Sequence, residues 1–153
     1  MIRLKKDQVR QIYRHVERTY PEEGCGFMLG ENSGESQTVR RVFEINNSQD
    51  ENRKRRFLIT PEQYMQAERI AAEHRMDLLG FYHSHPDHPA IPSAFDTEHA
   101  LPLFAYLIVS LAEGKSKTMS GWRLSESRER FIESNLIVEN LADEEITTVA
   151  HSR

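Results

Sequence analysis

The 153-residue chain has one cysteine, Cys25, and one tryptophan. A lone cysteine cannot close an internal disulfide, so the fold must rest on a packed core, and a reducing, cytoplasmic setting is expected. Long hydrophobic runs are also missing. The longest, residues 101–109, is broken by Pro102 and falls far short of the roughly 20 residues that span a bilayer. The opening MIRLKKDQ lacks the apolar centre of a signal peptide. Positive charge is not in excess either. The formal net charge is -4, and the one basic cluster, Arg53, Lys54, Arg55 and Arg56, is short. That balance argues against a large phosphate-binding surface and so against nucleic acid as the main partner. No internal repeat or low-complexity segment is visible. The remaining composition, 38% apolar and 29% charged, is that of an ordinary globular protein. The length suits a single domain over residues 1–153.

Periodicity supplies the elements. Val9, Ile12, Tyr13, Val16 and Tyr20 recur at three and four positions, which predicts an amphipathic helix over residues 6–19, closed by Pro21. Thr60-Pro61-Glu62-Gln63 is a helix start: a capping hydroxyl, a proline at the first turn and a reciprocal glutamine. Tyr64, Ala67, Ile70 and Ala71 continue it as a buried stripe towards His74. Strands are expected at 2–4, 25–29, 39–45, 57–59, 77–82, 104–111, 118–124 and within 131–138, with a short helix at 97–101. Residues 141–153 carry little pattern and are expected to fray. The sum is an α/β fold, one sheet with helices packed against it.

The most informative stretch is His83-Ser84-His85-Pro86, followed by Ser93 and Asp96. In a strand, positions i and i+2 share a side, so His83 and His85 project together and Ser84 points away. The prolines after them oppose a regular helix and stiffen a loop that can return Asp96 to the imidazoles. Two nitrogens and one carboxylate leave a tetrahedral zinc one open position, the arrangement of a catalytic site. Asp87, His88 and His99 lie close enough to compete or to support the ligands. A hydrolytic centre of this kind needs a base that is not itself a ligand. No H-E-x-x-H helix supplies one, so it must come from a distant segment. Glu22 or Glu23 are the candidates, beside the strand that begins near Cys25, although such a pair at a helix-to-strand turn is ordinarily solvated. Ser93 either caps a helix or donates to a developing oxyanion. Cys25, flanked by Gly24 and Gly26, reads as a packing residue rather than a nucleophile.

His83-Ser84-His85-Pro86, seven residues, then Ser93-x-x-Asp96, with Glu23 upstream in Glu23-Gly24-Cys25-Gly26, resembles the signature of the JAMM (MPN-plus) zinc metalloproteases. The resemblance covers nearly the whole chain and implies a curved mixed β-sheet flanked by helices, a cytidine-deaminase-like fold. It implies one Zn2+ per chain on His83, His85 and Asp96, Glu23 as general acid/base, and Ser93 as stabiliser of the tetrahedral intermediate. It also implies hydrolysis of a peptide or isopeptide bond after the C-terminal glycine of a ubiquitin-like protein. The chain is similar to small stand-alone prokaryotic members. For these a ThiS- or MoaD-like sulfur-carrier protein with a Gly-Gly tail is the expected partner, and a homodimer is compatible with the pattern. Two other readings fit the same fold: a zinc-stabilised interaction module without turnover, and a DNA-repair-associated member.

Overall fold

The computed structural model describes residues 1–46, 59–140 and 146–149. The basic cluster at 53–56 and residues 57 and 58 of the expected 57–59 strand lie outside the described residues, as does most of the 141–153 tail, and Ile59 is in no strand. The chain order is β1 (Ile2–Lys5), α1 (Lys6–Thr19), β2 (Cys25–Asn32), β3 (Gln37–Ile45), α2 (Pro61–His74), β4 (Asp77–Pro86), α3 (Ala94–His99), β5 (Ala105–Ala112), β6 (Lys115–Leu124), β7 (Phe131–Ser134), β8 (Leu136–Glu139) and β9 (Ile146–Val149). All the described strands join one mixed sheet in the order β7-β6-β5-β4-β2-β3-β1-β8-β9. This is more strands than periodicity predicts. The 131–138 segment divides at Asn135 into β7 and β8, which sit on opposite sides of the sheet order. Residues 146–149, expected to fray, pair antiparallel with β8. No helix among the described residues is long and apolar enough to cross a membrane.

The two long helices cover opposite faces of the sheet. Ile12 and Val16 of α1 pack with Met28, Val42, Leu79, Tyr82, Leu107 and Val109. Ala67 and Ala71 of α2 pack with Phe27, Leu29, Leu78, Phe81 and Tyr106. Alternation along each strand assigns neighbours such as Phe81 and Tyr82 to different cores. The α2 start is the capping box predicted from sequence: Gln63 N–H donates to Thr60 Oγ1 at 3.1 Å and Thr60 N–H to Gln63 Oε1 at 3.0 Å. On the other face, a buried His15 Nδ1 lies 2.6 Å from Tyr82 Oη, tying α1 to β4.

β4 is the strand that positions the site. It lies between β2, antiparallel, and β5, parallel. The β2–β4 register shifts at Met28/Leu29, so that Met28 faces Gly80 while Leu29 faces Leu78. That extra residue resets the alternation and puts Phe81, His83 and His85 on the α2 face. At Gly80 the two parallel strands come so close that a Cβ would stand 1.8 Å from the Ala105 carbonyl oxygen. Gly80→Ala must therefore separate β4 from β5. We expect a loss of at least about 2 kcal/mol of stability, read as a lower denaturation midpoint. An unchanged midpoint would contradict the close approach.

Candidate metal centre and active site

β4 continues through Pro86, so both histidines leave the same face of one strand, as the i, i+2 spacing predicts. Both are buried. Asp96 arrives from α3, which begins at Ala94 rather than at residue 97. Ser93 is its N-cap: Asp96 N–H donates to Ser93 Oγ at 3.0 Å, and Ser93 N–H donates to Asp96 Oδ2 at 2.9 Å. The same reciprocal pair that starts the helix turns the Asp96 carboxylate towards the histidines. Ser93 thus has the capping role, and its hydroxyl hydrogen is not used in that bond.

The donor atoms form a small triangle. His83 Nε2 and His85 Nε2 are 3.2 Å apart, His83 Nε2 and Asp96 Oδ1 3.3 Å, and His85 Nε2 and Asp96 Oδ2 3.1 Å. A tetrahedral cation with bonds near 2.0 Å separates its ligand atoms by about 3.3 Å, so these separations, two of which run to different oxygens of one carboxylate, are those of neighbouring ligands around zinc. Tautomers agree with this. His85 Nδ1 is 2.8 Å from the Pro89 carbonyl oxygen. A carbonyl only accepts, so Nδ1 carries the hydrogen and a neutral ring presents a lone pair at Nε2. That nitrogen faces a carboxylate oxygen at 3.1 Å, a contact that is favourable when a proton or a metal cation lies between them. Among the described residues, His83, His85 and Asp96 are the group whose ligand atoms could together hold a metal ion, and they are positioned to coordinate a single Zn2+.

The charges suit the role. Burial lowers the pKa of His83, keeping it neutral. Burial also disfavours charge on His85, but hydrogen bonding to Asp96 and to the Pro89 carbonyl outweighs it and the pKa rises. Burial opposes the charge on Asp96 too, yet hydrogen bonds from His83, His85 and the Ser93 amide hold its carboxyl well below the usual range. Deprotonated Asp96 and neutral His83 are already the ligating forms, whereas His85 gives up a proton to become one.

Glu23 stands opposite His85. Cys25 pairs with His83 across β2 and β4, and Ser84 N–H donates to the Gly24 carbonyl at 3.0 Å. One residue further brings Glu23 level with His85. It is buried and lines a recess with His85, His88, Pro89, Ile91 and Ser93. Glu22 is only half-buried and outside that recess. Burial pushes the Glu23 carboxyl up to about 8, with His85 opposing and Asp96 adding to the rise. Its Oε1 has no hydrogen-bond partner among the described residues. A buried carboxyl oxygen with nothing to bond is costly for a structural residue.

Several hydroxyls that sequence reading passes over hold this arrangement. Ser84 Oγ, on the far side of β4, accepts from Gly24 N–H at 2.9 Å and fixes the approach to Glu23. Three successive carbonyls of the loop are each held by a different strand. Ser110 Oγ donates to His88 O at 2.6 Å, His85 Nδ1 to Pro89 O, and Ser120 Oγ to Ala90 O at 2.5 Å. Asp87, at φ 60°, accepts from Tyr20 Oη at 2.6 Å and from Glu113 N–H at 2.8 Å. These ties keep the loop from drifting and carry Asp96 back to the histidines. Asp87 is therefore committed outside the donor triangle, while His88 is held by its carbonyl and its exposed side chain borders the Glu23 recess. The His99 ring stacks on Phe95 at 4.0 Å, with Nδ1 bonded to the Phe95 carbonyl. Cys25 is buried, its thiol pushed by burial up to about 12, which excludes a ready nucleophile.

Comparison with known proteins agrees with the geometry. The model of the prokaryotic homologues of the JAB domain matches residues 5–125. The chain belongs to this family. A desampylase of Haloferax volcanii is 34% identical over 110 residues, 71% of this chain and 76% of the relative. Solution structures of two bacterial proteins are similar throughout. The Desulfitobacterium hafniense protein has a TM-score of 0.79 at 30% identity, covering 92% of this chain and 94% of that one. The Salinibacter ruber protein has a TM-score of 0.70 at 39% identity, covering 89% and 90%. A JAB1/MPN domain protein of Archaeoglobus fulgidus shares the fold, with a TM-score of 0.54 at 16% identity over 90% and 96% of the chains. The His83, His85 and Asp96 triad is that of the JAMM zinc metallopeptidases within this family.

Proposed function

We propose that this JAMM-type hydrolase cuts the bond after the C-terminal glycine of a ubiquitin-like or ThiS/MoaD-like sulfur-carrier protein. Glu23 is read as its general acid/base and Ser93 as an oxyanion donor. The observation that carries the reading is the buried Glu23 carboxyl set against the His83, His85 and Asp96 triangle. An interaction module would need the triangle alone and would have no use for an unsatisfied buried acid. Similarity to a desampylase supports the choice of substrate class. The net charge of -4 counts against a nucleic-acid role. A lone, buried Cys25 suits a reducing cytoplasm, and the whole chain is read as one catalytic domain.

Zinc on the three ligands would polarise the scissile carbonyl and acidify water. The protein's own groups do the rest. Glu23 as the carboxylate accepts the proton of the attacking water and returns it to the departing nitrogen; burial, which raises its pKa to about 8, favours the protonated form that makes that return. Ser93 Oγ, already anchored as an acceptor for Asp96 N–H, turns its hydrogen towards the carbonyl oxygen as charge develops there. A Gly-Gly tail has no side chains to obstruct a narrow approach, and its backbone supplies the hydrogen bonds.

Carrier proteins extended beyond Gly-Gly by one residue or a short peptide test this directly. Loss of the extension, abolished by a chelator and restored by zinc, is expected. A fully zinc-loaded protein that leaves all such carriers intact would instead favour a binding role. Ser93→Ala separates the two parts played by that residue. Loss of the cap should cost about 1 kcal/mol of stability, while loss of the donor should lower kcat by roughly 100-fold. A stability loss with unchanged kcat would leave Ser93 as a cap only.

A further inference from the structure

The donor triangle has recesses on two sides. The Glu23 side is open. On the other side, His83 and Asp96 form part of the wall of a smaller, more enclosed pit, with a cavity volume of about 50 Å³. Its remaining wall is largely apolar, with Ile59 before α2, Ala100 and Leu101 after α3, Tyr106 and Ile108 of β5 and Phe131 of β7, and the His99 ring lies among them. The Tyr106 hydroxyl is already engaged, accepting from Leu101 N–H at 2.7 Å, and its ring meets Phe131 edge-on at 5.4 Å. The pit therefore offers a mostly apolar surface touching two metal ligands, and its remaining polar groups are the Tyr106 hydroxyl hydrogen and the His99 ring.

We propose that this pit is a specificity pocket for the residue released by cleavage, and that it takes an apolar side chain such as phenylalanine, methionine or leucine. The inference rests on the reading of the protein as a carrier peptidase and names the leaving group. The acyl side of the scissile bond is glycine, which has no side chain to fill a pit. The first residue on the leaving side does, and its nitrogen must sit at the triangle. An apolar side chain gains by leaving water for such a wall, whereas a serine or aspartate would lose hydrogen bonds to water and find few in return. A lysine joined through its side chain fits less well, since its chain must continue outward to a second protein instead of ending in an enclosed space. The favoured substrate is thus a carrier precursor ending in Gly-Gly and one apolar residue, linked by an ordinary peptide bond.

Binding tests this without turnover. Zinc-loaded Glu23→Gln protein is titrated with peptides ending in Gly-Gly-Phe and Gly-Gly-Ser, and with a Gly-Gly isopeptide on lysine. Calorimetry and the methyl resonances of Ile59 and Ile108 give the readout. The Phe peptide should bind roughly ten-fold or more tightly than the other two, and it alone should shift both methyl signals. Phe131→Ala and Ile59→Ala should each reduce that ratio while leaving Gly-Gly-Ser affinity unchanged. Equal affinities with unmoved methyl signals, tightest binding of the isopeptide, or a ratio that survives both wall variants would overturn the assignment. Its failure is distinct from failure of the carrier-peptidase reading. Carriers cleaved without preference would remove only the pocket. Carriers left intact by the zinc-loaded wild type, with the Phe preference retained in binding, would remove only the activity.

Discussion

Glu23→Gln should lower turnover by about 100- to 10,000-fold while one zinc per chain and the overall fold are retained. The substitution keeps the size and one acceptor oxygen of the side chain but removes its ability to carry a proton between water and the leaving nitrogen. Stability should not fall, because the native carboxyl is buried with Oε1 unbonded and an amide avoids the cost of burying charge. Glu22→Gln is the internal control. Glu22 is half-buried and outside the recess, so its variant should retain wild-type turnover. Undiminished turnover in the metal-loaded Glu23 variant would remove this residue from the chemistry.

Asp96→Asn should lower zinc affinity by more than about 100-fold, since even groups that only support a ligand are worth roughly 10- to 100-fold. The substitution keeps an acceptor for the Ser93 amide, so the α3 cap survives and the effect isolates the charge. What it removes is the carboxylate that both imidazole Nε2 atoms face at 3.1 and 3.3 Å. Competition against a chromophoric chelator gives the affinity. His99→Ala provides the contrast, because its ring is stacked on Phe95 and its Nδ1 bonded within α3. That variant should load zinc as the wild type does. Equal affinity of Asp96→Asn and wild type would exclude Asp96 as a ligand.

The parts of this site that were legible in the sequence are those with a local cause. His83 and His85 share a face because strand side chains alternate, and Thr60, Pro61 and Gln63 start α2 because their chemistry caps a helix wherever it occurs. The chain after residue 130 was less legible. Its strands are short, and β8 is specified by pairing with β1 at the other end of the chain. The α3 start was displaced because its capping box uses aspartate where glutamate or glutamine is usual. That aspartate is committed to the site as well as to the cap. Periodicity could not choose between Glu22 and Glu23. The register of β2 against β4 places Glu23 level with His85, and that register depends on packing far from either residue. Ser84, Ser110 and Ser120 gave no signal because an isolated serine in a strand is unremarkable. Their importance lies in which loop carbonyl they meet across the sheet. The pit wall likewise joins Ile59 to Phe131, residues that only the folded sheet brings together.

The central claim is that water, activated between the His83, His85 and Asp96 centre and Glu23, attacks the carbonyl of a carrier's terminal glycine. Cleavage of a carrier extended beyond Gly-Gly in 18O-labelled water, followed by mass spectrometry of the released carrier, tests it most directly. The account predicts a carrier ending at the second glycine with one 18O atom in its new carboxylate, formed only when zinc is present. A chelator-insensitive product, a cut elsewhere in the tail, or a new carboxylate without label would contradict it.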